Sequence, residues 1–257
     1  MAIDVAVTDG IATITINRPE RLNAMDAEHY HALSEAWMRV RDDAAIRVAV
    51  VTGAGTRAFS AGADIKSFLT RPAPLPDLWL TQRDQLLNRG LEVWKPVIAA
   101  VNGLCLGGGM TLLLATDIRI AAEHATFGLS EVKRGVVPGN GGTQRAIRQL
   151  PYAIAMEMLL TGDAIGAAEA ARWGLVNKVV PAVEVMPTAL AYARRIAANA
   201  PLAVQAAKEL AVRSRDVDLA TGLRMEQVMN RMLQFSEDAA EGPAAFAAKR
   251  APQFRGQ

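Results

Sequence analysis

The stretch VNGLCLGGGMTLLLATD, residues 101–117, decides the architecture. It continues the β-branched run VIAAV (97–101), passes through Gly107, Gly108 and Gly109, and enters MTLLLAT, which reads as a short buried helix. Glycine lets a backbone approach a ligand closely. The first turn of a helix offers N–H groups that have no intrahelical partner, at the positive end of the helix dipole. A strand–glycine–helix junction therefore suits a developing oxyanion. A phosphate-binding loop would need Gly-Lys-Ser/Thr after the glycines, and this chain has none there.

Upstream, IRVAVVT (46–52) reads as a strand covered on both faces and leads into TGAGTRAFSAGADIK (52–66). Gly53, Gly55 and Ala58 mimic a dinucleotide fingerprint, but no helix opens at these glycines. The acidic residue that such a fold needs about 20 positions on would fall in the proline-rich TRPAPLPDL (70–78). That proline-rich piece is expected to be a surface loop. The AGAD turn reads instead as a loop presenting backbone N–H groups through Ala61, Gly62 and Ala63, with Asp64 capping a following helix.

Downstream, IRIAA (118–122) repeats the buried-strand pattern, and ATFGLSEVKRGVVPGNGGTQR (125–145) carries Glu131 among Phe127, Leu129, Val132, Val136 and Val137. A carboxylate in apolar surroundings has its pKa raised by desolvation and can exchange protons near neutral pH. Asn140 sits in a glycine-rich turn, where an Asn serves for its backbone conformation.

Toward the N-terminus, residues 3–8 and 11–17 alternate around Asp9-Gly10 as a hairpin, and 26–43 is a helix that Asp26 can cap. Past residue 143 the pattern turns helical: 143–150, 152–160, 167–173, 184–199, 202–214, 217–235 and 239–248, with one strand near 175–180. Strands first and helices later imply a β-rich core followed by a helical C-terminal part. Leu219, Leu223, Val228, Met229, Met232 and Leu233 occupy more than one helix face, which points to self-association.

With 257 residues, 51% of them hydrophobic and 21% charged, the chain can build a substantial core. A net charge of +2 without a Lys/Arg run excludes a concentrated nucleic-acid face. Cys105 is the one cysteine, a small packing residue that leaves no intramolecular disulfide. His29, His31 and His124 are too scattered for a metal site, so no metal is expected. No GxSxG surrounds Ser60 or Ser130, which excludes a serine-hydrolase elbow, and Asp117 and Arg119 read as a structural polar contact. The first residues, MAIDVAVTDG, lack the basic and apolar regions of a signal peptide, and the apolar run at 97–115 is too interrupted to span a bilayer. A cytoplasmic location is the expectation.

Taken in order, INRPERLNAMD (16–26), AFSAGADIK, VNGLCLGGG, LATDIRIAAEHATFGLSE, GVVPGNGGTQR, LLTGDAIGAAEAARWGLVNKVV (159–180) and FAAKRAPQF (246–254) resemble the crotonase (enoyl-CoA hydratase/isomerase) family across essentially the whole chain. The resemblance implies an α/β fold: a spiral of ββα turns over residues 1–195, then a helical trimerisation region over 196–257, assembled as a homotrimer or a dimer of trimers. It implies an acyl-CoA substrate and no cofactor beyond the coenzyme A of that substrate. It places the two oxyanion donors on the N–H groups of Ala63 and Gly108. CoA or substrate contacts fall on Ala61, Ile65, Lys66, Gly107 and Asn140, and on Phe246 and Lys249 of the tail.

The family's two hydratase glutamates would fall at positions 131 and 111. The first is Glu131 and the second is Thr111, which can hydrogen-bond a water but cannot act as a base. Losing one acid–base partner costs about 10²–10⁴-fold in rate. The expected activity is an enoyl-CoA hydratase-type lyase with Glu131 as acid/base and Thr111 as a hydrogen-bonding helper. The alternatives are a Δ3-Δ2-enoyl-CoA isomerase, which needs one carboxylate, and a hydratase-lyase, which pairs one glutamate with a small hydroxyl residue. Against the latter, Tyr30, Tyr152 and Tyr192 all lie outside the 215–235 helix, from whose region such enzymes draw a tyrosine. From a different class comes an acyl-CoA-binding homologue without turnover.

Overall fold

The computed structural model describes residues 2–69 and 85–257. The loop expected at 70–78 lies outside the described residues. The hairpin forms as read: β1 (Ile3–Thr8) and β2 (Ile11–Ile16) pair antiparallel, with Asp9 and Gly10 at positive φ in the turn. Asp26 caps α1 (Ala27–Asp42), accepting the N–H of His29 at 3.2 Å.

A six-stranded sheet continues from the hairpin. Its later members are β3 (Val48–Gly53), β5 (Val97–Val101), β7 (Ile118–Ala122) and β10 (Lys178–Val180), all parallel from β2 onward. Strands β3 and β5 are buried at every position, which is why they read as unbroken apolar runs rather than alternating ones.

Each central strand feeds a short strand of a second sheet. β3 leads to β4 (Ala58–Ser60), β5 to β6 (Leu104–Leu106) and β7 to β8 (Thr126–Gly128), with β9 (Ile165–Gly166) closing the four-stranded set. The chain thus winds as a spiral that adds one strand to each sheet per turn. Gly103 sits at one crossing, where a side-chain carbon would come within 2.2 Å of the Arg57 carbonyl oxygen, so only glycine fits.

In chain order after α1 the helices are α2 (Ile65–Leu69), α3 (Gly108–Leu113), α4 (Gly142–Gln149), α5 (Tyr152–Thr161), α6 (Ala167–Arg172) and α7 (Val185–Ala197). Helix α7 packs on β3, β5 and β7. Arg119 is buried, donating to the carbonyls of Leu175 and Thr116 at 3.0 Å each and to Gln149 Oε1 at 2.7 Å, while Asp117 accepts from Val97 N at 2.7 Å. Both are structural contacts, as read, and Cys105 is buried in the core.

The last helices, α8 (Pro201–Arg213), α9 (Leu219–Leu233) and α10 (Glu237–Ala247), expose most of their apolar side chains. Leu219, Met232, Phe235 and Phe246 all stand in solvent. The Arg47 guanidinium ties this part to the core, donating to the carbonyls of Ala197 at 2.9 Å and Phe254 at 2.7 Å. Among the described residues no helix is long and apolar enough to cross a membrane.

Candidate active site

The glycine junction and the AGAD turn close on one another. Ser60, at the end of β4, donates its hydroxyl to the Asn23 carbonyl at 2.8 Å and accepts the Gly62 N–H at 3.1 Å. The turn is then laced to the segment before α1: Ala61 N–H donates to Leu22 O at 3.0 Å, Met25 N–H to Gly62 O at 2.8 Å, and Asp64 N–H to Met25 O at 2.8 Å. Met25 and Ala63 form an isolated parallel bridge. Because the bonds run through the residues on either side of Ala63, its own N–H faces away from Met25.

It faces Gly108. A side-chain carbon on Gly108 would lie 3.4 Å from the Ala63 nitrogen, and one on Gly62, at φ +95°, would lie 2.7 Å from the Gly108 nitrogen. Gly108 is the first residue of α3, so no helical carbonyl accepts its N–H. Gly107 precedes it at φ 52°, ψ −119°, a conformation that a side chain does not tolerate. Asp64 caps α2 as expected, accepting the Lys66 N–H at 3.1 Å, and also holds Arg18 Nη1 at 2.9 Å.

Glu131 opens the 3-10 turn Glu131–Arg134, and its Oε1 lies 3.5 Å from the point where a Gly107 side chain would begin. Among the described residues its buried Oε2 has no hydrogen-bond partner. Burial raises the carboxyl pKa, against the opposing pull of its own backbone N–H and of Arg134.

Thr111, one turn into α3, is buried, and its hydroxyl is engaged on both sides. It donates to the Gly108 carbonyl at 3.0 Å and accepts Nδ2 of Asn88 at 2.9 Å. The single hydroxyl proton is thus committed to the backbone of the residue expected to carry an oxyanion donor.

Three residues near the site carried no functional signal in the sequence. Tyr30 reads as the core face of α1, yet its hydroxyl lies 2.8 Å from the place a Gly108 side chain would take. Burial pushes this phenol up to about 12, Arg89 opposing the shift and Glu131 adding to it, so it stays protonated at working pH. Asn88 and Arg89 belong to the 3-10 turn Leu87–Arg89, in a stretch without periodicity. Asn140 adopts φ 55°, the left-handed conformation expected of it, and its Oδ1 accepts Arg89 Nε at 2.8 Å.

The remaining expected contacts are dispersed. Ile65 and Lys66 are exposed at the start of α2, beside Ala63. Phe246 is 87% exposed, and Lys249 lies in a left-handed turn just past α10. Among the described residues, no hydrogen bond or ion pair joins these two to the Gly107–Glu131 cluster.

Fold and site together define an α/β spiral protein in which a glycine-opened helix meets a backbone turn beside a partly buried carboxylate. The family model for enoyl-CoA hydratase/isomerase matches residues 6–257. The chain is 43% identical over 256 residues to (E)-benzylidenesuccinyl-CoA hydratase of Thauera aromatica, covering 100% of each protein. It is 42% identical to the carnitinyl-CoA dehydratase of Proteus mirabilis, covering 96% of this chain and 95% of that one. The crystal structure of an enoyl-CoA hydratase from Bacillus anthracis superposes with a TM-score of 0.92 at 37% identity, covering 100% of both chains. The chain belongs to the enoyl-CoA hydratase/isomerase, or crotonase, family.

Proposed function

We propose that this enzyme adds water across the Cα=Cβ bond of an acyl-CoA thioester, or removes it in the reverse direction. The N–H groups of Ala63 and Gly108 hold the thioester oxygen, and Glu131 moves the proton. The observation that carries this reading is the partly buried Glu131 carboxylate, with one oxygen unpartnered among the described residues, beside the Gly107–Gly108 junction. The relatives named a hydratase and a dehydratase act in the two directions of such a reaction.

Ionised Glu131 takes a proton from water as the hydroxide oxygen bonds to Cβ. The electron pair of the Cα=Cβ bond moves to the carbonyl oxygen, where the amides stabilise the enolate. The proton on Glu131 then passes to Cα and the carbonyl reforms. One water enters and the carboxylate is restored. Thr111, its hydroxyl proton committed to Gly108, braces the first turn of α3 rather than donating to water.

A second reading, isomerisation of a 3-enoyl to a 2-enoyl thioester, draws on the same observation, because one carboxylate suffices to carry a proton between C4 and C2. Ala61, Ile65 and Lys66 would contact coenzyme A, the substrate-borne group. Phe246 and Lys249 would reach it from a neighbouring subunit, in a trimer or paired trimer that covers Leu219, Met232 and Phe235.

The test is a panel of 2-enoyl-, 3-enoyl- and aryl-enoyl-CoA esters read by mass. Gain of one water indicates hydration, an isobaric product isomerisation, and a shortened chain cleavage. Glu131→Gln is expected to remove about 10²–10⁴-fold of turnover while ester binding persists. Unimpaired turnover by that variant would refute the role given to Glu131. Wild-type protein that binds these esters and turns over none is a binding homologue.

A further inference from the structure

Beside Tyr30 stands a cation that the proton chemistry leaves unused. Arg89 is half-buried, its guanidinium carbon 5.6 Å from the centre of the Tyr30 ring. The Tyr30 hydroxyl in turn lies 2.8 Å from the place a Gly108 side chain would take, which sets the cation beside the glycine junction.

Arg89 Nε donates to Asn140 Oδ1 at 2.8 Å. That amide oxygen is neutral, so it aims the guanidinium without cancelling its charge. Among the described residues Arg89 forms no ion pair, and its two Nη groups have no hydrogen-bond partner. Arg145 approaches the same turn, donating to the carbonyls of Asn88 at 3.0 Å and Asn140 at 3.3 Å, and it too meets no carboxylate among the described residues. Glu131 is ion-paired with neither. Among the described residues the local balance is positive, and a half-buried guanidinium carries a desolvation cost that a bound anion offsets. Two free Nη groups in one plane match the two oxygens of a carboxylate.

We propose that Arg89 determines acyl specificity by binding a free carboxylate carried on the acyl group beyond the reacting double bond. The favoured substrates are then enoyl-CoA thioesters bearing a second, ionised carboxyl group. The inference rests on the reading of this site as a thioester hydratase and deepens it. Asn140 acts as a positioning residue: an aspartate there would tolerate the left-handed backbone but would neutralise Arg89 in place of the substrate.

The experiment compares kcat/KM for three 2-enoyl-CoA esters of matched length whose far end is a carboxylate, a carboxamide or a trimethylammonium group. The wild type is expected to favour the carboxylate. Arg89→Met and Asn140→Asp are each expected to lower the carboxylate-to-carboxamide ratio by about 10- to 100-fold, mostly through KM. Thermal unfolding checks that both variants fold.

A ratio within about threefold of wild type in Arg89→Met overturns the proposal, as does a wild-type preference for the neutral or cationic ester. A loss shared equally by all three esters assigns Arg89 to the coenzyme A phosphates or to the fold, and also overturns it. In those cases turnover of the carboxamide ester that Glu131→Gln abolishes leaves the hydratase reading standing. If no ester is turned over, that reading fails, and the same ratio is taken from dissociation constants.

Discussion

Replacing Gly108 by alanine would put a methyl group where the two candidate oxyanion amides meet. Its carbon would lie 2.8 Å from the Tyr30 hydroxyl oxygen, 3.4 Å from the Ala63 nitrogen and 3.4 Å from the Gly62 Cα. The last two are van der Waals contacts, so the methyl fills the volume beside the Ala63 N–H that a thioester oxygen needs at about 2.7–3.1 Å. The first is too short, and Tyr30 is only 4% exposed, so the ring has little room to retreat. Losing one oxyanion donor costs about 10²–10³-fold in kcat, or about 2.7–4 kcal/mol. Overpacking adds a stability cost of about 1–3 kcal/mol. A gain in helix propensity offsets at most about 1 kcal/mol of it. The assay is the initial rate of loss of the conjugated thioester absorbance, with thermal unfolding and substrate binding measured on the same preparation. Gly108→Ala that is folded, binds the ester and keeps kcat within about threefold of wild type would refute the placement of the oxyanion between Ala63 and Gly108.

Four further outcomes are expected. Because burial raises the Glu131 pKa and the ionised form is the base, kcat/KM rises with pH along an acid limb lying above the ordinary 4.5, and Glu131→Gln abolishes the limb; a limb at or below 4.5 contradicts this. The same shift has a stability sign. A raised folded-state pKa means stability is fully present below 4.5 and is lost as pH rises through the folded value, so Glu131→Gln is expected to flatten that decline in denaturant titrations. Thr111→Val strands the Asn88 amide and should cost about 1–3 kcal/mol in chemical denaturation, whereas a water-donating role would show instead as a kcat loss without destabilisation. Arg119→Met leaves the carbonyls of Leu175 and Thr116 without their donor and should cost roughly 3 kcal/mol or more, read as a lowered unfolding midpoint.

Legibility followed the range of the interactions. The buried strands Val48–Gly53 and Val97–Val101 and the Asp9-Gly10 turn are written in consecutive residues, because strand propensity and turn conformation act locally. The second sheet was missed. Ala58–Ser60, Leu104–Leu106 and Thr126–Gly128 are too short for any periodicity, and they are strands only because they pair across the spiral. At the candidate site, Glu131, Ala63 and Gly108 are the residues that the glycine-rich junctions and the family resemblance single out. Tyr30, Asn88 and Arg89 were not legible: Tyr30 lies on an ordinary apolar helix face, and the other two follow no repeating pattern.

The amino-acid sequence by itself determined the family, the order of buried strands and later helices, and the exchange of a second carboxylate for Thr111. Those properties rest on local propensity and on which residue types stand at which spacing. Tertiary structure alone decided that the Ala63 turn approaches Gly108, that the Thr111 hydroxyl is committed to Gly108 and Asn88, and that Arg89 lies beside Tyr30 and Asn140. The 2.9 Å Asn88–Thr111 bond joins residues 23 positions apart, and the 2.8 Å Arg89–Asn140 bond joins residues 51 apart. Hydrogen-bond geometry and desolvation depend on distances of a few ångströms, and no pattern along the chain encodes them before it folds.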